Sequence, residues 1–291
     1  GEQFASLPSG IDICFETFGN PDDPTQLLVM GLGGPMGWWS NEFCERLAGR
    51  GYFVIRYDNR DTGRSTKLSQ HRVGRADVFK AFAGLGKAPY SLGDLADDAF
   101  GLLDHLGIER ANLVGVSMGG MIVQTMAIQR PGRALSMTSI MSTTGKRTVG
   151  WQHPKVLPAM LASAGPTRDS FVERSLRTSA VIGAKAYPSD EATSIARAQE
   201  TYDRGWTASG VTRQMLAVLT QPDRTKDLAT LDLPVTVIHG LADPLVNRSG
   251  GRATAAAIPG AEHLEIAGMA HDLPPELYST YIDAIDRTAK R

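Results

Sequence analysis

Short apolar runs recur along the chain, each closed by a polar or glycine-bearing turn. QLLVMGL (26–32), YFVIRYD (52–58), ANLVGV (111–116), LSMTSIM (135–141), PVTVIHG (234–240) and EHLEIAG (262–268) are the clearest. They are nearly continuous rather than alternating, which predicts strands covered on both faces in a mostly parallel sheet. Ahead of them, GIDICFETFGNPDDP reads as an edge strand pair turning at Asn20–Pro24. The period changes between runs. In SLGDLADDAFGLLDHLG, Leu95, Ala99, Leu102, Leu103 and Leu106 share one helix face, with Ser91 as N-cap and Gly107 as stop. A second helix is predicted over 118–130, dense in Gly, Met and Ala and ended by Pro131.

From about 143 to 228 the strand rhythm disappears. HPKVLPAMLASAG, RDSFVERSLRTSAVIG, SDEATSIARAQETYDRG and TRQMLAVLT all read as helices, and strands resume at Leu233. The expected organisation is an α/β core over 1–142 and 229–291, with a helical lid inserted over 143–228 above the sheet's C-terminal edge. The basic connection at 67–88, KLSQHRVGRADVFKAFAGLGKA, is longer than a compact α/β unit requires.

Composition narrows the functional class. The 291 residues suffice for one large α/β domain, or two small ones, with a real core. Lys plus Arg total 30 against 31 Asp plus Glu, giving net charge −1. That balance argues against a nucleic-acid footprint or a polybasic membrane contact. No apolar run reaches the ~18 residues of a membrane helix, and GEQFASLPSG lacks the basic start and apolar stretch of a secretion signal. Cys14 and Cys44 match no metal or redox spacing, so both are expected as free thiols in the cytoplasm.

The candidate chemistry centres on GVSMG, residues 115–119, which places Ser117 between glycines where an apolar run gives way to a helix. A nucleophile in such an elbow needs small neighbours, because its backbone is strained and strand and helix pass closely. The bland reading is a tight turn. A serine hydroxyl is a weak nucleophile alone, so a histidine and an orienting acid must follow, in the chain order Ser, Asp or Glu, His. Asp243 stands just beyond the VTVIHG run and His271 just beyond the next, on the sheet edge where Ser117 would lie. The other histidines compete poorly. His105 is expected to help cap its helix, His71 and His153 fall in a loop and in the lid, His239 precedes the acid, and His263 lies within a strand. Asp227 and Asp232 precede their strand and belong at its other end.

LLVMGLGGPMG supplies Gly31, Gly33, Gly34 and Gly37 after the first parallel run, and Asp58 ends the next. A dinucleotide site would use such a loop and such an acid. Against it, Met36 replaces the last glycine of G-x-G-x-x-G, and Pro35 with Trp38–Trp39 opens a phosphate-binding helix poorly. The hydrolytic reading uses the loop instead as an oxyanion hole, formed by the Leu32 and Met118 N–H groups.

With these pieces in place, the chain resembles the α/β-hydrolase superfamily from about residue 10 onward, least across the lid. MGLGG, DNRDTGRS (58–65), GVSMGG, GLADPL and GMAH carry the resemblance. It is similar within that superfamily to bacterial esterases of the aclacinomycin methylesterase type, through its Met-Gly loop and RYDNRDTGRST segment. The resemblance implies an α/β-hydrolase fold and a carboxylic-ester hydrolase using Ser117, His271 and Asp243, with no metal or organic cofactor. Carbon–carbon bond hydrolases and cofactor-free haloperoxidases or perhydrolases share the triad and remain alternatives, as does a non-catalytic receptor. An aspartate nucleophile is excluded by Ser117. Gly31, Trp38, Trp39, Met118, Trp151, Met160, Trp206 and Met215 are candidates to line a pocket for a small hydrophobic or aromatic ester. Arg72, Arg75 or Lys80 could pair with an anionic group on it, or be solvated loop charges.

Overall fold

The computed structural model describes residues 1–162, 165 and 167–291. Its centre is an eight-stranded sheet of order β1-β2-β4-β3-β5-β6-β7-β8. The strands are β1 (Gln3–Ser6), β2 (Asp12–Phe18), β3 (Thr25–Val29), β4 (Phe53–Tyr57), β5 (Ala111–Val116), β6 (Ala134–Ile140), β7 (Val235–Gly240) and β8 (Glu262–Ile266). β1 and β2 pair antiparallel, β2 joins β4 antiparallel, and β4, β3, β5, β6, β7 and β8 run parallel. All six parallel strands therefore end on one edge.

The helices are α1 (Asn41–Ala48), α2 (Arg75–Phe82), α3 (Leu92–His105), α4 (Met118–Gln129), α5 (Leu157–Leu161), α6 (Arg168–Ile182), α7 (Glu191–Asp203), α8 (Ala208–Leu219), α9 (Thr225–Leu228), α10 (Ser249–Ala257) and α11 (Tyr278–Ala289). The continuous apolar runs have a direct cause. Leu27, Val29, Ile55 and Leu113 point to the side covered by α3 and α4. Leu28, Met30, Val54, Val114 and Val116 point to the side covered by α1 and α11. With both faces buried, both sets of alternate positions are mostly apolar, and the polar exceptions, Gln26, Arg56 and Asn112 among them, are buried too. α3 begins as expected, Ser91 Oγ accepting from Asp94 N–H and the Asp94 side chain returning to Ser91 N–H.

Two expectations are corrected, the place of the edge hairpin turn and the role of His105. The edge hairpin turns at Leu7–Ile11, where Leu7 N–H donates to Ile11 O (2.8 Å) and Gly10 takes φ +82°. Asn20–Pro24 instead leads β2 into β3, which is not its neighbour. β1 has four residues, one of them buried, too short to show a period. The 67–88 connection holds a helix, α2, packed on α8. His105 sets its ring edge-on to Phe15 (6.3 Å between centroids). The cap of α3 is made by backbone, Gly107 N–H to Asp104 O and Ile108 N–H to Leu103 O, with Gly107 at φ +69°.

Between β6 and β7 the described residues carry helices and no strand. The end of the HPKVLPAMLASAG helix, Ser163 and Ala164, lies outside the described residues. α6 and α7 share a small core of their own, Phe171, Val172 and Ala198, with the Phe171 and Trp206 rings 4.6 Å apart.

Cys14 and Cys44 are unpaired and fully buried. Burial pushes the Cys14 thiol up to about 11 and the Cys44 thiol up to about 12. Neither is expected to react with an aromatic disulfide reagent at pH 8 in the folded protein. Both should titrate once denaturant is added, and a fast equivalent in native buffer would contradict this placement.

Candidate active site

The strand-to-helix reversal after β5 rests on one residue. β5 ends at Val116, α4 begins at Met118, and Ser117 between them takes φ 55° and ψ −119°. A non-glycine residue there is strained by on the order of 1–3 kcal/mol. The surroundings hold it: Ser117 N–H donates to Ile140 O (2.9 Å), and Ser142 Oγ–H donates to Ser117 O (2.7 Å). The flanking glycines are required by proximity. A Cβ at Gly115 would lie 2.1 Å from Gly119 O, and one at Gly119 would lie 2.0 Å from Val29 O.

Ser117 Oγ lies 3.0 Å from His271 Nε2, and His271 Nδ1 lies 2.8 Å from Asp243 Oδ2. The network assigns the tautomer: Nδ1–H donates to the carboxylate, so Nε2 is free to accept from the hydroxyl. Asp243 is buried, and its Oδ1 accepts from the N–H groups of Leu245 and Val246, both at 2.9 Å. His271 N–H donates to Ile182 O at the end of α6 (3.0 Å). The loops bearing acid and base are tied by Ala242 N–H to Met269 O (3.0 Å). A Cβ at Gly240 would lie 2.1 Å from that same oxygen.

His239 is a fully buried neighbour, its Nε2 2.8 Å from Val246 O and 3.8 Å from Asp243 Oδ2. Among the described residues its Nδ1 has no hydrogen-bond partner, and burial holds its pKa below the usual imidazole value. The unfolded chain therefore binds a proton there that the folded chain resists. The stability that His239 contributes is full above pH ~6.5 and is lost as pH falls below it. His239→Gln, which can still donate to Val246 O, should lose less stability between pH 7 and 5. Urea midpoints at the two pH values measure this, and an equal loss in both proteins would remove His239 as the cause.

Gly31, Leu32, Gly33 and Gly34 form a β-turn closed by Gly34 N–H to Gly31 O (3.2 Å). Gly31 sits against the serine, since a Cβ on it would lie 3.2 Å from Ser117 Cβ. Among the described residues, neither Leu32 N–H nor Met118 N–H donates to an acceptor. Met118 opens α4, where unpaired N–H groups and the helix dipole favour negative charge.

The DNRDTGRS segment braces this loop, a role its sequence did not disclose. Asp58 is buried; Oδ1 accepts from Met36 N–H (2.7 Å), and Oδ2 from Arg64 N–H (2.9 Å) and the Arg204 guanidinium (2.6 Å). Those contacts account for the acid that a ribose would have needed. Asn59 Nδ2–H donates to Met30 O (3.1 Å), Arg60 pairs with Asp98 (2.6 Å), and Asp61 pairs with Arg213 of α8 (2.7 Å). Four charged or amide side chains in a row straight after an apolar strand mark the segment as unusual, but not its partners or its bracing role.

The pocket candidates scatter. Trp39 is fully buried in the core beside Phe43 (5.1 Å), which corrects its expected lining role. Trp38 is half-buried, its Nε1–H on Thr201 Oγ1 (3.0 Å) and the Arg197 guanidinium over its ring (5.1 Å). Trp206 packs within the small core of α6 and α7, and Trp151 is 52% exposed. Met160 and Met215 are half-buried. Arg72, Arg75 and Lys80 are exposed.

Residues 26–276 match the family described as alpha/beta hydrolase fold. The chain belongs to this family. It is 30% identical to rhodomycin D methylesterase DauP of Streptomyces sp., over 93% of this chain and 92% of that one. It is 25% identical to 3-oxoadipate enol-lactonase 2 of Acinetobacter baylyi, over 93% and 91%. The enol-lactonase of Burkholderia xenovorans superposes with a TM-score of 0.75 at 21% identity, over 99% of this chain and 100% of that one, which supports the fold alone. As an α/β hydrolase the chain needs no dinucleotide to account for its glycine loop. No helix among the described residues is long and apolar enough to cross a membrane.

Proposed function

We propose that the protein hydrolyses a small carboxylic ester through an acyl-enzyme on Ser117. The observation that carries this reading is the unbroken line from Ser117 Oγ through His271 to Asp243, at 3.0 and 2.8 Å. His271 Nε2 takes the hydroxyl proton as Oγ attacks the ester carbonyl, and Asp243 holds the ring and stabilises the imidazolium. The Leu32 and Met118 N–H groups receive the oxyanion, each worth on the order of 3 kcal/mol. The C–O bond to the alcohol breaks, and the alcohol leaves with the proton from His271. Water, deprotonated by the same nitrogen, then attacks the acyl carbon and releases the acid and Ser117. No cofactor enters this cycle.

The esterase type rests on similarity across nearly the whole chain to a methylesterase and to an enol-lactonase, both named for opening a carboxylic ester. The 143–228 helices serve as a cap over the sheet edge, supported by the contact of His271 with the end of α6. The two buried unpaired thiols favour a reducing compartment, the cytoplasm.

Fluorophosphonate labelling of the intact protein, with a p-nitrophenyl ester series from acetate to long chains, tests the reading. One labelled residue, Ser117, together with ester turnover is expected. Labelling with no ester turnover would favour carbon–carbon hydrolysis on the same residues. Neither signal in a folded protein would end the serine-hydrolase reading.

A further inference from the structure

Gln214 lies in the middle of α8 and is fully buried. A buried amide is costly unless it is satisfied. This one makes three bonds: Oε1 accepts from Gly33 N–H (2.8 Å), and Nε2–H donates to Arg60 O (2.8 Å) and Thr62 Oγ1 (2.7 Å). One side chain thus joins the 31–34 turn to the DNRDTGRS segment.

The Gly33 contact acts on the part of the turn that is free to move. Gly33 is the third residue of the Gly31–Gly34 turn with φ +69°, and Leu32 has no positive φ, which makes the turn type II. Types I and II differ by rotation of the central peptide, here Leu32–Gly33. Gln214 Oε1 binds the N–H of that peptide and so opposes the rotation. The Leu32 N–H lies in the preceding peptide and is placed by where the turn as a whole sits, which Gln214 fixes by tying Gly33 to the DNRDTGRS segment. The neighbouring residue Arg213 fixes α8 itself, through two bonds to Asp61 (2.8 and 2.7 Å).

We infer that Gln214 is a positioning residue that holds the oxyanion-binding turn in its working conformation. It touches no reacting atom and acts through the Gly33 peptide. The inference rests on the Ser117 reading above. A preorganised donor helps because it needs no reorganisation when the oxyanion forms. A turn no longer tied to the DNRDTGRS segment would shift and present the donor for part of the time, slowing acylation and leaving ground-state ester binding nearly unchanged.

The test compares the wild type with Gln214→Met and Gln214→Glu. The readouts are the second-order rate of fluorophosphonate labelling, kcat and KM for p-nitrophenyl acetate, and Tm. Gln214→Met keeps side-chain length and removes all three bonds. A tenfold or greater fall in labelling rate and in kcat is expected, with KM within about twofold, well below the variant's Tm. Gln214→Glu should recover most of the rate, because a carboxyl buried against Arg60 O holds its proton and again accepts from Gly33 and donates to Arg60. Wild-type labelling by folded Gln214→Met, with labelling still lost in Ser117→Ala, would overturn the positioning role and leave the Ser117 reading intact. Absence of labelling in the wild type would overturn both. If Gln214→Met does not fold, amide exchange in the wild type reads the same contact. Gly33 should be protected like an interior helical amide, and exchange at the rate of an open turn would overturn the assignment.

Discussion

Ser117→Ala is expected to lower kcat for any ester the wild type turns over by on the order of 10⁴-fold or more, and to abolish fluorophosphonate labelling. KM, where residual turnover allows it to be measured, should change little, because the hydroxyl contributes to bond formation rather than to ground-state binding. His271→Ala should cost nearly as much, and the double variant little more than either single one, since the two side chains act as one unit at 3.0 Å. The fold should survive. Alanine keeps the Cβ, so the strained φ 55° remains and Tm should stay close to wild type. Ser117→Gly separates the two consequences of the elbow. It should be equally inactive yet more stable than Ser117→Ala by roughly 1 kcal/mol, because glycine relieves the strain but gains entropy when unfolded. A Ser117→Ala protein retaining a tenth of wild-type turnover would show that the elbow serine is only a turn residue. Additive losses in the double variant would show that Ser117 and His271 do not act together.

The elbow was readable in the sequence because its causes are local. Gly115, Gly119 and Gly120 flank one serine, and the close approach that demands them follows from an apolar run meeting a helix. Asp243 and His271 were readable because parallel strands end on one edge, so residues just past β7 and β8 share a side with Ser117. The brace around the Gly31–Gly34 turn was not readable. Asp58, Asp61 and Gln214 gain their roles from partners 22, 152 and 181 residues away, and nothing periodic marks such pairs. Trp39 was misplaced for a related reason. An aromatic pair beside a site looks like pocket lining, whereas here only Trp38 is half-exposed and Trp39 turns into the packing of α1. The hairpin was misplaced because β1 is shorter than any window in which alternation can be counted.

The largest stability effect is expected at the contact between the core and the helices that follow β6. Arg213 and Asp61 are 1% and 3% exposed and joined by two bonds, with Tyr90 O–H also donating to Asp61 (2.8 Å). Asp61 holds a left-handed φ of 68°, so the backbone is strained to present the carboxylate. Removing one partner from such a pair strands a buried charge, which costs roughly 3–5 kcal/mol. Arg213→Met should therefore lower Tm by roughly 10 °C, and Asp61→Asn should cost less, because its amide can still accept from the guanidinium. The double variant Arg213→Met with Asp61→Asn should be more stable than the sum of the single losses predicts, since no unpaired charge is left behind. Arg213→Met should also slow Ser117 labelling in protein still folded at the assay temperature, because it loosens the helix that carries Gln214. A Tm within 2 °C or so of wild type would show that water reaches Asp61 when the arginine is absent. Lower Tm with an unchanged labelling rate would show that α8 holds its place over the Gly31–Gly34 turn without the ion pair, through Gln214 and the packing of Val211 on Gly33.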